Sequence, residues 1–129
     1  MEKANFENLR VYQMAERLSD LIWIIVRGWD HFARDTIGKQ IVCSADSISA
    51  NLAEGTGRGT AKDIRHFARV ARGSLYETKN WLRRAYRRKL LTQEQLEEIT
   101  QVVQALAPML NAYLASLSRR ETRAAQAKQ

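Results

Sequence analysis

Cysteine is nearly absent from this chain. Cys43 stands alone among 129 residues, which excludes an internal disulfide framework and a cysteine-rich metal site. A reducing, cytoplasmic setting suits that usage. Cys43 also has no basic neighbour to lower its thiol pKa, so a small buried side chain is expected there and not a nucleophile. The two histidines, His31 and His66, have no histidine or cysteine at ligand spacing, and neither a metal nor a cofactor is expected. Proline occurs once and glycine six times, which excludes collagen-like and proline-rich architectures. The longest apolar run, residues 21–26, is far shorter than the roughly 20 residues of a bilayer-spanning helix, so no membrane partner is expected. Residues 1–7 are polar and mixed in charge, unlike an export signal. Alternating β-branched runs bounded by hairpin turns are missing too, and with them any strand signal.

Helical periodicity fills the chain instead. Val11, Met14, Ala15, Leu18, Leu21, Ile22, Ile25, Val26 and Trp29 recur at three- and four-residue spacing, predicting a helix from near Asn8 to Gly28. A second stripe through Ile37, Ile41, Ala45, Ile48 and Leu52 predicts a helix capped at Asp35 or Thr36 and stopped at Gly55. The glycines of residues 54–60 read as a tight connection. Thr60 opens a third helix with Asp63 three residues on, and the stripe Ile64, Phe67, Ala68, Ala71, Leu75, Thr78, Leu82 and Ala85 carries it to Leu90. Thr92 and Gln95 form a capping box for a fourth helix, with Leu96, Ile99, Val102, Val103, Leu106, Met109, Leu110, Tyr113, Leu114 and Leu117 as its apolar positions and a kink expected near Ala105 from the donor that Pro108 removes. The expected fold is therefore all-α, an antiparallel up-down four-helix bundle occupying residues 1–118, followed by a basic, frayed tail at 119–129.

Charge is unevenly distributed. The whole chain carries +7, yet residues 58–89 alone hold eleven basic and two acidic side chains. On a helical wheel Arg65, Arg69, Arg72, Tyr76, Lys79, Arg83 and Arg87 fall within about 80° of one another, with Lys62 at the margin. This face lies about 120° from the core stripe, so it is read as outward-facing. Six cations along about 33 Å can neutralise phosphates and release condensed counterions. Five of the six are arginine, whose planar fork grips phosphate in pairs of bonds, and Tyr76 offers a ring for an unpaired base. With Arg58 beside the glycine turn, these residues form the candidate nucleic-acid site, RNA before DNA. The plainer reading is a solubilising face, or one paired with acidic groups such as Glu94, Glu97 and Glu98.

Tyr12, Trp23, Val70 and Trp81 lie off the core stripes, and large apolar groups in such places predict self-association, the plainer reading being a wide core or a tryptophan lying partly over its own helix. No catalytic set assembles. The turn near Arg58 resembles a minor anion site but lacks the phosphate-loop pattern, and Asp46 and Glu54, eight residues apart, are too distant to act as an acid/base pair. No small-molecule substrate is indicated.

The run from Ser47 through Ile48, Asn51, Leu52, Glu54, Gly55 and Gly57 to Arg58, followed by Phe67, Ala71, Gly73-Ser74-Leu75, Glu77 and Leu82, resembles the 23S rRNA intervening-sequence protein family. Phe6, Leu9, Tyr12-Gln13 and Ala15 fit the same family's first helix. Accessory proteins of diversity-generating retroelements are similar in fold. The resemblance implies a homopentamer of four-helix bundles around a channel, nucleic-acid binding and no enzyme activity. It also marks Asn51, Glu54, Gly55 and Arg58 as motif positions that hold the second-to-third helix turn. One departure is that Gln40 is followed by Ile41, Val42 and Cys43, where many relatives carry basic residues, which places the burden of binding on the third helix. A different expectation is a scaffold whose basic face docks an acidic partner protein, such as a nucleic-acid enzyme.

Overall fold

The computed structural model describes residues 5–128. Residues 1–4 and 129, the outer ends of the expected bundle and tail, lie outside the described residues. All regular structure among the described residues is helical. A 3-10 turn at Asn5–Asn8 leads into α1 (Arg10–Arg27). One helical turn, α2 (His31–Ala33), passes through a π-helical turn at Arg34–Gly38 into α3 (Lys39–Arg58). Then come α4 (Ala61–Arg87) and α5 (Gln93–Ala127). The four long helices pack in a cycle, α1 on α3, α3 on α4, α4 on α5 and α5 on α1.

The apolar stripes meet along the axis of this cycle. Leu18 and Ile22 of α1, Ile41 and Ile48 of α3, and Leu106 and Leu110 of α5 are almost completely buried. Full burial of each such side chain is worth roughly 1.5–3 kcal/mol. α4 contributes smaller groups, with Ala68, Ala71 and Ala85 buried among Leu75 and Leu82. One polar pair sits in this core: the hydroxyls of Ser44 and Thr78 are 2.9 Å apart across the α3/α4 contact. The Asp46 carboxylate accepts a short hydrogen bond from the Ser19 hydroxyl and ties α1 to α3.

Several boundaries differ from those expected, each for a local reason. The second helix starts a full turn before Asp35, because the Asp30 carboxylate caps it by accepting from the Ala33 amide at 3.0 Å. Its π-helical turn absorbs the crossing of α1, where a Cβ on Gly38 would stand 2.9 Å from a Val26 methyl. Gly55 does not stop the helix either. It is buried inside the last turns of α3, where a Cβ would meet Phe67 Cβ at 3.0 Å and Ile64 Cα at 3.2 Å. Gly55 is there for space. The helix ends at Gly59, whose φ of 83° is the left-handed conformation that terminates helices.

The caps at Thr60 and Thr92 hold as expected. The Thr60 hydroxyl accepts from the Asp63 amide, and the Thr92–Gln95 capping box is complete in both directions. α4 ends at Arg87, not Leu90. Lys89 takes φ 61°, the Leu90 amide donates to the Ala85 carbonyl, and the Lys89 amide donates to the Tyr86 carbonyl. That pair of bonds is a Schellman stop built without glycine. α5 runs unbroken through Pro108 and on to Ala127, so the described part of the tail is helical where a frayed end was expected. Its composition explains this, since alanine, arginine and glutamine are strong helix formers. Cys43 likewise departs from expectation: it is exposed on the outer side of α3.

Candidate nucleic-acid interface

Helical rise and rotation bring the α4 cations onto one side of the molecule, toward the seam with α5. Arg69, Lys79, Arg83, Arg87 and Lys62 are exposed, and Arg72 is half-buried. Tyr76, in the middle of the row, is 63% exposed, and the Lys79 ammonium lies over its ring, 5.3 Å from the centroid. Among the described residues, none of Lys62, Arg69, Arg72, Lys79, Arg83 or Arg87 has a carboxylate within 4.0 Å. No ion pair among the described residues neutralises their charge.

Two members of the predicted set are engaged within the protein. The Arg65 guanidinium donates to the Glu121 carboxylate at 2.7 Å, with its Nε buried and lacking an acceptor. Arg58 donates to Glu54 one turn back at 3.1 Å and lies over the Phe67 ring at 5.3 Å. Among the described residues, Glu94, Glu97 and Glu98 at the start of α5 make no ion pair with the row within 4.0 Å. The carboxylate that reaches it is Glu121, near the opposite end of α5, which sequence reading missed because no local pattern joins residues 56 apart.

The motif residues Asn51, Glu54, Gly55 and Arg58 occupy the last two turns of α3, where it packs on the start of α4. The Asn51 amide donates to the Ser47 carbonyl within the same helix. They form a helix end in place of the expected glycine loop. The minor anion site once read from the glycines is thereby removed, for residues 55–58 are helical.

The four predicted interface residues divide. Trp23 is 54% and Val70 40% exposed. Tyr12 and Trp81 are half-buried and pack against the core, with the Trp81 indole N–H buried without an acceptor. Tyr12 bonds Glu16 at 3.1 Å and stacks edge-on with Phe6. Its hydroxyl pKa is raised by burial, by that hydrogen bond and by the carboxylates of Glu16, Glu7 and Asp20. Exposed Ile24 and Phe32 were not anticipated. Among the described residues no three His, Cys, Asp or Glu side chains converge on a metal-sized site, and no helix is long and apolar enough to cross a membrane.

A run of motif residues at the α3/α4 corner, on four mutually packed helices, decides the family. The chain matches the 23S rRNA-intervening sequence protein family over residues 7–112. It belongs to that family. The matched span reaches from the 3-10 turn well into α5 and includes the whole basic row. A crystal structure of a protein of unknown function from the S23 ribosomal protein family of Bacteroides thetaiotaomicron VPI-5482 has the same fold. It superposes with a TM-score of 0.71 at 23% identity, covering 81% of this chain and 97% of that one. No curated protein matches the chain.

Proposed function

We propose that this family member is a non-catalytic, cytoplasmic nucleic-acid-binding protein that grips RNA, in preference to DNA, through the cation row of α4. The observation that carries the reading is the exposure of Arg69, Lys79, Arg83 and Arg87 on one face with no carboxylate within 4.0 Å among the described residues. A face left so unneutralised repels itself, and a phosphate backbone relieves that repulsion while releasing counterions. Arg65 and Arg58, being paired within the chain, contribute less.

The same proposal includes an up-down antiparallel bundle assembled as a homopentamer. Antiparallel neighbours are supported by short connections and by the pairs Val26 with Gly38, Ser44 with Thr78, and Arg65 with Glu121. Self-association is supported by exposed Trp23 on α1 and Val70 on α4, the two helices that flank α3. The outer side of α3 presents small groups, Cys43, Ala50 and Gly57, that permit close approach of another copy. Repeating the row by symmetry converts weak contacts into avidity.

Titration of labelled RNA at several salt concentrations tests this. Affinity should fall linearly on logarithmic axes as salt rises, and charge reversal at Arg69 and Arg72 should remove most of it. Affinity indifferent to both would refute RNA binding by α4. A second reading, docking of an acidic protein such as a nucleic-acid enzyme, is favoured by the readiness of Arg65 to take a carboxylate. Capture that survives nuclease treatment would select it.

A further inference from the structure

Beside the cation row, α4 and α5 part to leave a groove of about 360 Å³. Its floor is apolar, formed by buried Leu82 and Ile99 with half-buried Leu96 and Val103. Lys79 and Arg83 rim it on the α4 side, and Thr100 and Gln104 rim it on the α5 side. Tyr86, 48% exposed, closes one end. Such a volume is near the lower end for small-ligand sites, and the α4 edge from Lys79 to Tyr86 spans about 10 Å at 1.5 Å per residue. An apolar floor open to water beside two unpaired cations is an unfavourable surface to leave uncovered, and its rim chemistry specifies what covers it.

We propose that this groove holds one unpaired nucleobase of a bound RNA strand, a reading that rests on nucleic-acid binding by α4. A base has flat, weakly hydrated faces and a polar edge, and it comes with phosphates on both sides. The groove offers a complement to each part. The leucine, isoleucine and valine floor takes a face of the base, with the Tyr86 ring beside it. The Gln104 amide, both donor and acceptor, and the Thr100 hydroxyl meet the edge. Lys79 and Arg83 take the flanking phosphates. Lys79 also lies over the Tyr76 ring, so two rings flank two cations along the seam in the order tyrosine, lysine, arginine and tyrosine, the combination of aromatic and basic groups that single-strand sites use. A duplex keeps its bases stacked and paired, and reaches only the cations. The site therefore selects single-stranded or looped RNA.

The test compares a single-stranded RNA carrying 2-aminopurine with a duplex of equal length, at matched salt, on the full chain. The single strand should bind about tenfold more tightly, and its fluorescence should rise on binding as the base leaves its stack on neighbouring bases for the aliphatic floor. Val103→Trp, which fills the groove, and Tyr86→Ala, which removes an exposed ring, should each weaken single-strand binding about tenfold, within the range of base stacking energies. Both should leave the salt slope unchanged, because no phosphate contact is lost. Tyr86→Ala keeps the assay informative should the tryptophan variant misfold. Equal affinity for strand and duplex, or unaltered strand binding and fluorescence rise in both variants while Arg69 and Arg72 reversal still abolishes binding, would overturn the groove and leave the row standing. Failure of the wild type to bind either RNA, with an acidic helical peptide bound in its place, would overturn both.

Discussion

Arg65 on α4 and Glu121 on α5 meet at 2.7 Å, an ion pair that joins the start of the basic row to the last third of the longest helix. Both side chains are about one-third exposed, so the pair itself adds at most about 1 kcal/mol after solvent screening. Its larger consequence is electrostatic. Glu121 occupies a guanidinium that the rest of the row leaves free.

Replacement of Glu121 by Gln should therefore tighten RNA binding several-fold and steepen the salt dependence. One additional phosphate contact corresponds to an increase of about 0.7 in the logarithmic slope on a single strand. Binding isotherms at four or more salt concentrations would read this directly, and an unchanged slope would show that Arg65 takes no part.

Gly55 and Gly57, two residues apart on α3, should respond oppositely to alanine. In a helix the substitution alone is worth up to about 1 kcal/mol in favour of alanine. At Gly57 the new methyl meets open space, and stability should rise toward that value. At Gly55 it meets Phe67 Cβ and the Ile64 backbone at 3.0–3.3 Å, and these neighbours cannot swing aside as a flexible side-chain end would. Overpacking of this sort costs about 1–3 kcal/mol, so Gly55→Ala should lower the urea midpoint while Gly57→Ala raises it.

Lys89 holds a left-handed conformation at the end of α4 with no glycine to ease it. That conformation costs an L-residue roughly 1–2 kcal/mol, part of which Lys89→Gly should recover. A gain of about 1 kcal/mol would lift the melting temperature by about 4 °C in a domain of this size. A fall in melting temperature would mean that the lysine side chain contributes more than its backbone costs.

The Ser44 and Thr78 hydroxyls lie 2.9 Å apart in the core, and the Thr78 hydroxyl also reaches the Ser74 carbonyl at 2.8 Å. Thr78→Val keeps the shape and removes the hydroxyl, which should cost about 1–2 kcal/mol by leaving Ser44 short of a partner. Adding Ser44→Ala to that variant should cost less than the sum of the two single changes, because both polar groups are then gone. Chemical denaturation of the four proteins measures the coupling.

How far the molecule was legible depended on the range of each interaction. Thr60, Thr92 and Gln95 act on amides three residues away, so their caps were visible in the sequence. The Asp30 cap was overlooked because the apolar stripe begins only at Ile37, and the turn between them is π-helical. A glycine that ends a helix and a glycine that lets another helix approach are the same letter, which is why Gly55 read as a stop. The exposure of Cys43 and the half-burial of Trp81 were hidden likewise, because both depend on how α3 sits between its neighbours. Of the groove residues only Tyr86 carried a signal, a wheel position on α4 between the core stripe and the cation row, whereas Thr100 and Gln104 lie on α5 and nothing in the sequence sets the two helices together at that height.

By itself the sequence determined that the described chain is helical, which faces of those helices are apolar, and that one helix carries a long row of cations. These properties follow from a repeat of 3.6 residues and from hydrogen bonds spanning three or four positions. Tertiary structure alone decided that Glu121 neutralises Arg65, that Lys79 and Arg83 border an open groove, and that Gly55 is a point of contact. Each of these depends on the distance between side chains far apart in the sequence, and that distance exists only once the four helices have packed.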